Sequence, residues 1–154
     1  MASYDVFIIG GGGAGLTAAL YASRANLKTI LLEKLTPGGQ IALTDRVENY
    51  PGFPEGVTGT DISMRMEEQA KKYGTDIQYD EVLSLAKAGA EFQVKTAKNT
   101  FQTKAVILAS GASFRTLGVP GERELTGKGV SYCATCDGAF FKNKEIAVIG
   151  GGDS

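Results

Sequence analysis

The chain alternates between short apolar runs and polar, glycine-broken stretches. Tyr4-Asp5-Val6-Phe7-Ile8-Ile9 ends in a continuously apolar half, which predicts a strand buried on both faces. Gly10 through Gly15 forms a turn. Leu16 to Ala25 then places Leu16, Ala19, Leu20, Ala22 and Ser23 on one narrow face of small residues, predicting a helix that packs close to a sheet. Thr29-Ile30-Leu31-Leu32-Glu33 is a second buried strand, completing a β-α-β unit of roughly thirty residues.

Lys34 to Gly59 carries Pro37, Pro51 and Pro54 among its glycines and reads mostly as loop. A loop of this length in a compact domain is usually functional. Asp61 to Tyr73 is expected to be helical, with Thr60 or Asp61 as N-cap and Gly74 as the stop. Asp76 to Tyr79 is a short strand. Val82 to Ala86, Glu91 to Thr96 and Thr100 to Thr103 alternate and read as an antiparallel meander, with turns at Gly89 and Lys98-Asn99. Ala105 to Ala109 is again a buried strand. The expected fold is therefore α/β: a Rossmann-like parallel sheet with helix over one face and an antiparallel meander over the other.

Beyond it, Gly118, Pro120, Gly121, Gly127 and Gly129 give a hinge-like stretch, which is expected to let the following segment swing as a unit. A cysteine-rich turn, a short helical segment near Asp137 to Phe141 and a buried strand Glu145 to Ile149 come next. That strand has no later partner before Ser154, so it is expected to be disordered, paired with another chain or prone to aggregate. The division expected is 1–115 for a first domain and 116–154 for the start of a second.

Composition narrows the chemistry. The 154 residues suffice for one ordinary domain and carry sixteen basic against seventeen acidic side chains, with no like-charge block. Neither nucleic acid nor a membrane surface is expected as a partner. Histidine is absent, which removes the commonest metal ligand and the usual acid–base near neutral pH. No metal site is expected. Asp5 and five glycines interrupt what could pass for a secretory leader, so the reading is cytoplasmic.

Three motifs carry the chemistry. Gly10-x-Gly12-x-x-Gly15 follows a strand and opens a helix. Gly10 permits the tight turn, Gly12 lets a pyrophosphate approach the main chain, and Gly15 lets helix and sheet close up. Glu33 follows at the end of the next strand, where a carboxylate accepts ribose hydroxyls. Cys133-Ala134-Thr135-Cys136 has the spacing of a small-ring redox disulfide, and Asp137 beside it offers proton transfer where no histidine can. A zinc half-site shared between chains and two unrelated thiols are the alternatives, and Asp137 can equally be a plain helix N-terminal carboxylate. Gly150-x-Gly152, after an apolar run, looks like the opening of a second dinucleotide turn, echoing the first. Gly38-Gly39-Gln40 and Val47-Glu48-Asn49 are less specific. They suit backbone and amide contacts to a heterocycle, or a plain surface loop.

Taken in order along the chain, these motifs, with Ala109-Ser110-Gly111-Ala112-Ser113 and Cys133-Ala134-Thr135-Cys136-Asp137-Gly138, closely resemble the low-molecular-weight, bacterial-type thioredoxin reductases. The resemblance implies FAD on the first domain, NADPH and the redox pair on the second, and a homodimer. It implies that Cys136 faces the flavin, that Cys133 attacks the protein substrate, and that Asp137 transfers a proton. It places Gly10, Gly12, Gly13, Ala14, Gly15, Glu33, Lys34, Gly39, Gln40, Asn49, Val82, Ala109 and Gly111 around FAD, and Gly150 and Gly152 at the second nucleotide. The activity implied is thioredoxin-disulfide reduction, with thioredoxin or a similar protein disulfide as partner. In such enzymes the FAD domain resumes after the NADPH domain, so 154 residues alone are expected to fall short of full activity. A relative serving a peroxiredoxin or fed by ferredoxin, and a non-catalytic flavin-binding fragment, are the alternatives.

Overall fold

The computed structural model describes residues 3–134 and 138–151. It divides into two compact units, Met1–Gly111 and Ala112–Ser154. The first unit is built on one six-stranded mixed sheet. Its elements run β1 (Ser3–Ile9), α1 (Gly13–Arg24), β2 (Thr29–Glu33), a 3-10 turn (Gly39–Leu43), α2 (Gly59–Lys72), β3 (Asp76–Tyr79), β4 (Val82–Ala88), β5 (Glu91–Thr96) and β6 (Thr100–Leu108).

Strand order is β3-β2-β1-β6-β5-β4. The β3-β2-β1-β6 half is parallel, with Phe7 opposite Ile30 and Val106. The β6-β5-β4 half is an antiparallel meander. Because side chains alternate across a strand, β1 feeds two cores. Val6 and Ile8 pack with Leu31 against Leu16 and Ala19 of α1 and Ala70 of α2. Phe7 faces the other way and packs with Ile30, Leu32, Val94 and Phe101, with Val82 against them; Tyr4, at the start of the strand, joins this second cluster. The meander continues the sheet by hydrogen bonding, and Val94 of β5 and Val82 of β4 pack into the core opposite the helices.

Polar ties fasten the layers where burial leaves hydroxyls behind. Ser23 Oγ and Thr75 Oγ1 lie 2.7 Å apart and buried, holding α1 to the start of β3. The Tyr4 hydroxyl donates to Asp76 Oδ2 at 2.6 Å, spanning from β1 to β3. Burial, helped by that bond, pushes the Tyr4 pKa up to about 12. Among the described residues no helix is long and apolar enough to cross a membrane.

Several boundaries differ from the sequence expectation. Helix α1 starts at Gly13, three residues before Leu16, because the glycine turn itself winds into the first helical turn. The N-cap of α2 is Thr58, not Thr60 or Asp61; its hydroxyl accepts the Asp61 N–H at 3.0 Å, and Asp61 sits inside the first turn. Gly74, at φ 92°, ends α2 as expected.

The third meander strand and the buried strand Ala105 to Ala109 are one continuous strand, β6. Its two halves have different neighbours. Thr100 and Phe101 pair with β5, Gln102 and Thr103 with both β5 and β1, and from Lys104 onward only β1 remains alongside. Leu108 is consequently 68% exposed rather than buried.

In the second unit, Glu145 to Ile149 is not a strand. Ile146, Val148 and Ile149 are exposed, Val148 by 82%. A strand needs a hydrogen-bonding neighbour, and among the described residues none lies beside this run. The helical segment expected near Asp137 to Phe141 is a 3-10 turn, Gly138–Phe141, with Asp137 outside the described residues. The glycine-rich stretch Gly118 to Gly129 is a set of closed turns. Leu125 N–H bonds to Gly121 O, Gly127 N–H to Val130 O and Val130 N–H to Leu125 O.

Candidate functional site

The loop from β1 to α1 sits at the carboxyl ends of the central strands, the edge at which parallel α/β sheets bind ligands. Each glycine of the turn has a separate reason. Gly10 has φ 104°, and a Cβ there would run into the Ala109 carbonyl. A Cβ on Gly15 would run into the Gly10 carbonyl oxygen. At Gly12 the direction a Cβ would take is open, with no atom within 4 Å. Two glycines are thus demanded by the protein's own packing, and the third keeps main chain bare toward space.

Gly12 is also the N-cap of α1, and no side chain caps the helix there. The first N–H groups of an α-helix lack partners within the helix, and the helix dipole adds positive potential at that end. Gly13, Ala14 and Gly15 form this first turn, and no acidic side chain occupies it. Such a turn receives a phosphate or pyrophosphate.

Glu33 closes one side. Its Oε2 accepts the Gly11 N–H at 2.7 Å and its Oε1 accepts the Leu35 N–H at 2.9 Å. The carboxylate is held at the lip of the turn by two main-chain donors, with lone pairs left for further hydroxyls. Lys34 beside it pairs with Glu81 at 2.6 Å on the surface.

The long loop closes another side. Gly38 N–H donates to the Gly11 carbonyl at 2.7 Å, so residues 12 and 38 form a parallel bridge. Gly38 has φ 103°, and a Cβ on it would strike the Ser63 side chain of α2. A Cβ on Gly39 would lie 3.4 Å from Gly12 Cα. The loop returns to the glycine turn and delivers Gly39 and Gln40, both exposed, to the same rim. Ala109 completes the floor, its N–H bonded to the Ile9 carbonyl at 2.8 Å.

Gly10, Gly12, Gly13, Ala14, Gly15, Glu33, Gly39 and Ala109 therefore converge. Other expected residues do not touch that cluster. Asn49 is exposed and lines a shallow hollow of ≈ 320 Å³ with Glu48, Tyr50 and Pro51. Val82 starts β4 and packs against the core, which leaves only its main chain for a ligand. Gly111 has φ 70° and open surroundings. A larger hollow, ≈ 460 Å³, lies between Tyr50, Phe53 and the α2 residues Ile62, Arg65, Met66 and Gln69, and shares no residue with the glycine turn.

Gly11 is the residue that sequence reasoning passed over. It occupies a variable position of the glycine motif, and its part is to hold Glu33 through its N–H and the returning loop through its carbonyl. The signal available was a run of four glycines where the pattern needs two.

In the second unit, Cys133 is disulfide-bonded, half-buried, and its N–H is held by the Ser131 hydroxyl at 3.1 Å. Gly150 has φ 100° and is exposed. Cys136, Asp137 and Gly152 lie outside the described residues. Among the described residues no cluster of three or more possible ligands could hold a metal ion.

A β-α-β core, a glycine turn at its carboxyl edge and an acidic residue closing the second strand define a Rossmann-like dinucleotide-binding domain. The chain belongs to the pyridine nucleotide-disulphide oxidoreductase family, whose family model matches residues 4–154. It is 54% identical over 152 residues to a thioredoxin reductase of Bacillus subtilis (strain 168), covering 98% of this chain and 48% of that protein. Among solved structures it is similar to Lactococcus lactis thioredoxin reductase in its FR conformation, with TM-score 0.76 and 47% identity over 90% of this chain and 45% of that one. A ferredoxin-flavin thioredoxin reductase from Clostridium acetobutylicum gives TM-score 0.68 and 34% identity over 92% of this chain and 48% of that one. The chain spans about half the length of the curated relatives it matches.

Proposed function

We propose that this chain is the flavin-binding and redox-disulfide part of an NADPH-dependent thioredoxin reductase. The observation that carries the reading is the glycine turn: main chain is bare at Gly12 while the protein's own atoms fill the space at Gly10 and Gly15. The relatives it is most usefully compared with bear that name.

The residues fit the adenosine and pyrophosphate end of FAD. The N–H groups of Gly12 to Gly15 take the pyrophosphate, and the Glu33 carboxylate takes ribose hydroxyls while Gly11 holds it in place. Gly39, Gln40 and Ala109 extend the site toward the flavin, and Lys34, Asn49, Gly111 and the main chain of Val82 are the further residues this reading assigns to FAD. By the spacing of the sequence, Gly150 and Gly152 are assigned to NADPH. When bound, the flavin carries two electrons between the nicotinamide and a disulfide.

The chain's own chemistry lies in the cysteines. Two electrons and one proton cleave the Cys133–Cys136 sulfur–sulfur bond, giving one thiol and one thiolate, and Asp137 moves that proton. Cys133, as thiolate, attacks one sulfur of the partner's disulfide and releases the other. Cys136 then attacks Cys133 in the mixed disulfide, which frees the partner as a dithiol and restores the original bond. Thioredoxin is the partner this reading names, and the working unit is a homodimer in the cytoplasm.

The test is to purify the protein, release its ligand by denaturation and identify it. FAD is the expected ligand. NAD in the first site, with no flavin visible absorbance after adding FAD, contradicts the reading. A flavin that ferredoxin reduces and NADPH does not would move the donor to the ferredoxin-fed relatives.

A further inference from the structure

One carboxylate of the second unit is buried without belonging to any motif. Glu122 is 5% exposed. The N–H groups of Leu117 and Gly118 donate to it at 2.9 and 2.7 Å. The Tyr132 hydroxyl donates to it at 2.5 Å. Its main-chain carbonyl accepts the Thr126 hydroxyl at 2.7 Å.

These bonds join distant parts of the unit. Leu117 and Gly118 belong to the segment by which the chain enters it. Tyr132 precedes Cys133, and its ring stacks on Phe114 with centroids 5.3 Å apart and planes 11° from parallel. The Glu122 side chain and the Phe114 ring thus hold Tyr132 from two sides. Ser131, one residue earlier, bonds the Cys133 N–H. Cys133 is placed by its two preceding residues, and Tyr132 is placed by Glu122.

We propose that Glu122 is a positioning residue for the redox disulfide: through Tyr132 it fixes the main chain at Cys133 and ties that position to the entering segment at Leu117 and Gly118. This rests on the reductase reading. Anchoring one end of a Cys-x-x-Cys loop raises the effective concentration of one thiol at the other, which favours the closed disulfide over two free thiols. Removing the anchor makes the disulfide easier to reduce.

Equilibrate the chain with mixtures of reduced and oxidised dithiothreitol, alkylate the thiols, and read the reduced fraction by mass. Glu122→Ala and Tyr132→Phe are each expected to reach half-reduction at about a threefold to tenfold lower dithiol-to-disulfide ratio than the parent, the range one hydrogen bond supplies. Glu122→Gln is expected to fall between the parent and Glu122→Ala, because one amide oxygen can still accept from Leu117 N–H and the Tyr132 hydroxyl, which share Oε1, while its NH2 faces the Gly118 N–H that Oε2 accepts in the parent. The double variant is expected to shift no further than the larger single one. Tyr132→Phe leaves the bonds to the entering segment intact, so the test survives if Glu122→Ala does not fold. Midpoints of Glu122→Ala and Tyr132→Phe unchanged from the parent, or shifted toward harder reduction, overturn the proposal. A parent chain whose cysteines never exchange with dithiothreitol contradicts the reductase reading itself, and the proposal with it.

Discussion

The Gly11 N–H donates to Glu33 Oε2 at 2.7 Å, so the glycine turn and the acid that ends β2 form one piece. The bond fixes the carboxylate where a ribose would meet it and leaves other lone pairs unused. Glu33→Ala removes both the hydroxyl acceptor and the tie to Gly11. Binding of ADP to the chain, measured calorimetrically, is expected to weaken about tenfold or more, as for hydrogen bonds to a charged group. Equal affinity in parent and variant would mean that Glu33 only braces the turn.

Two glycines of the same turn separate folding from binding. Gly15→Ala sets a Cβ into the Gly10 carbonyl, where main chain on both sides cannot give way. It is expected to destabilise the first unit by about 3 kcal/mol or more in urea unfolding, the high end of overpacking costs. Gly12→Ala points its Cβ into open space at an ordinary φ of -73°. Its stability is expected to change by no more than about 1 kcal/mol, the scale of an N-cap change, while nucleotide binding falls. Gly12→Ala that binds ADP normally would remove the pyrophosphate from that face.

Much of this was legible in the sequence because the signals are local. Val6 to Ile9 and Thr29 to Glu33 announce buried strands by composition, and Gly10, Gly12 and Gly15 announce the turn between them by spacing. What the sequence left out depends on neighbours. Nothing local shows that Thr100–Thr103, paired with β5, and Lys104–Leu108, paired with β1 alone, are one strand, or that Leu108 is exposed at its end. Thr58 rather than Thr60 caps α2, and the next residue, Gly59, lies so close to the Ile41 carbonyl eighteen residues back that a Cβ would collide with it, a contact no local pattern shows. The Glu122 hub was invisible because its partners, Leu117, Gly118 and Tyr132, share no motif. The hinge expected between Gly118 and Gly129 is, in the structure, fastened by that hub at its first residue.

Acid is expected to loosen the meander through Asp80. The Thr96 hydroxyl, then the N–H groups of Glu81 and Lys98, hold its carboxyl below the usual aspartate range. Since the folded pKa lies below the unfolded one, the stabilisation is present above about pH 4 and is lost as pH falls through the folded value. Asp5, Glu67 and Glu122 are lowered as well and titrate in the same direction. The difference between parent and Asp80→Asn isolates one of them. The variant is expected to be less stable at pH 7 and to converge on the parent toward pH 3, in urea unfolding followed across that range. A constant gap at all pH values would show that the charge of Asp80 is not what the meander uses.

The central claim, that a flavin and the Cys133–Cys136 disulfide form one electron chain, is tested most directly by counting electrons. The full polypeptide carrying this sequence, loaded with FAD, is titrated anaerobically with dithionite while visible absorbance reports the flavin and alkylation reports the thiols. The account predicts that complete reduction takes about two two-electron equivalents per subunit, one for the flavin and one for the disulfide, and that Cys136→Ser halves the uptake. Uptake of about one equivalent in both proteins, with the thiols of the parent still closed, would contradict it.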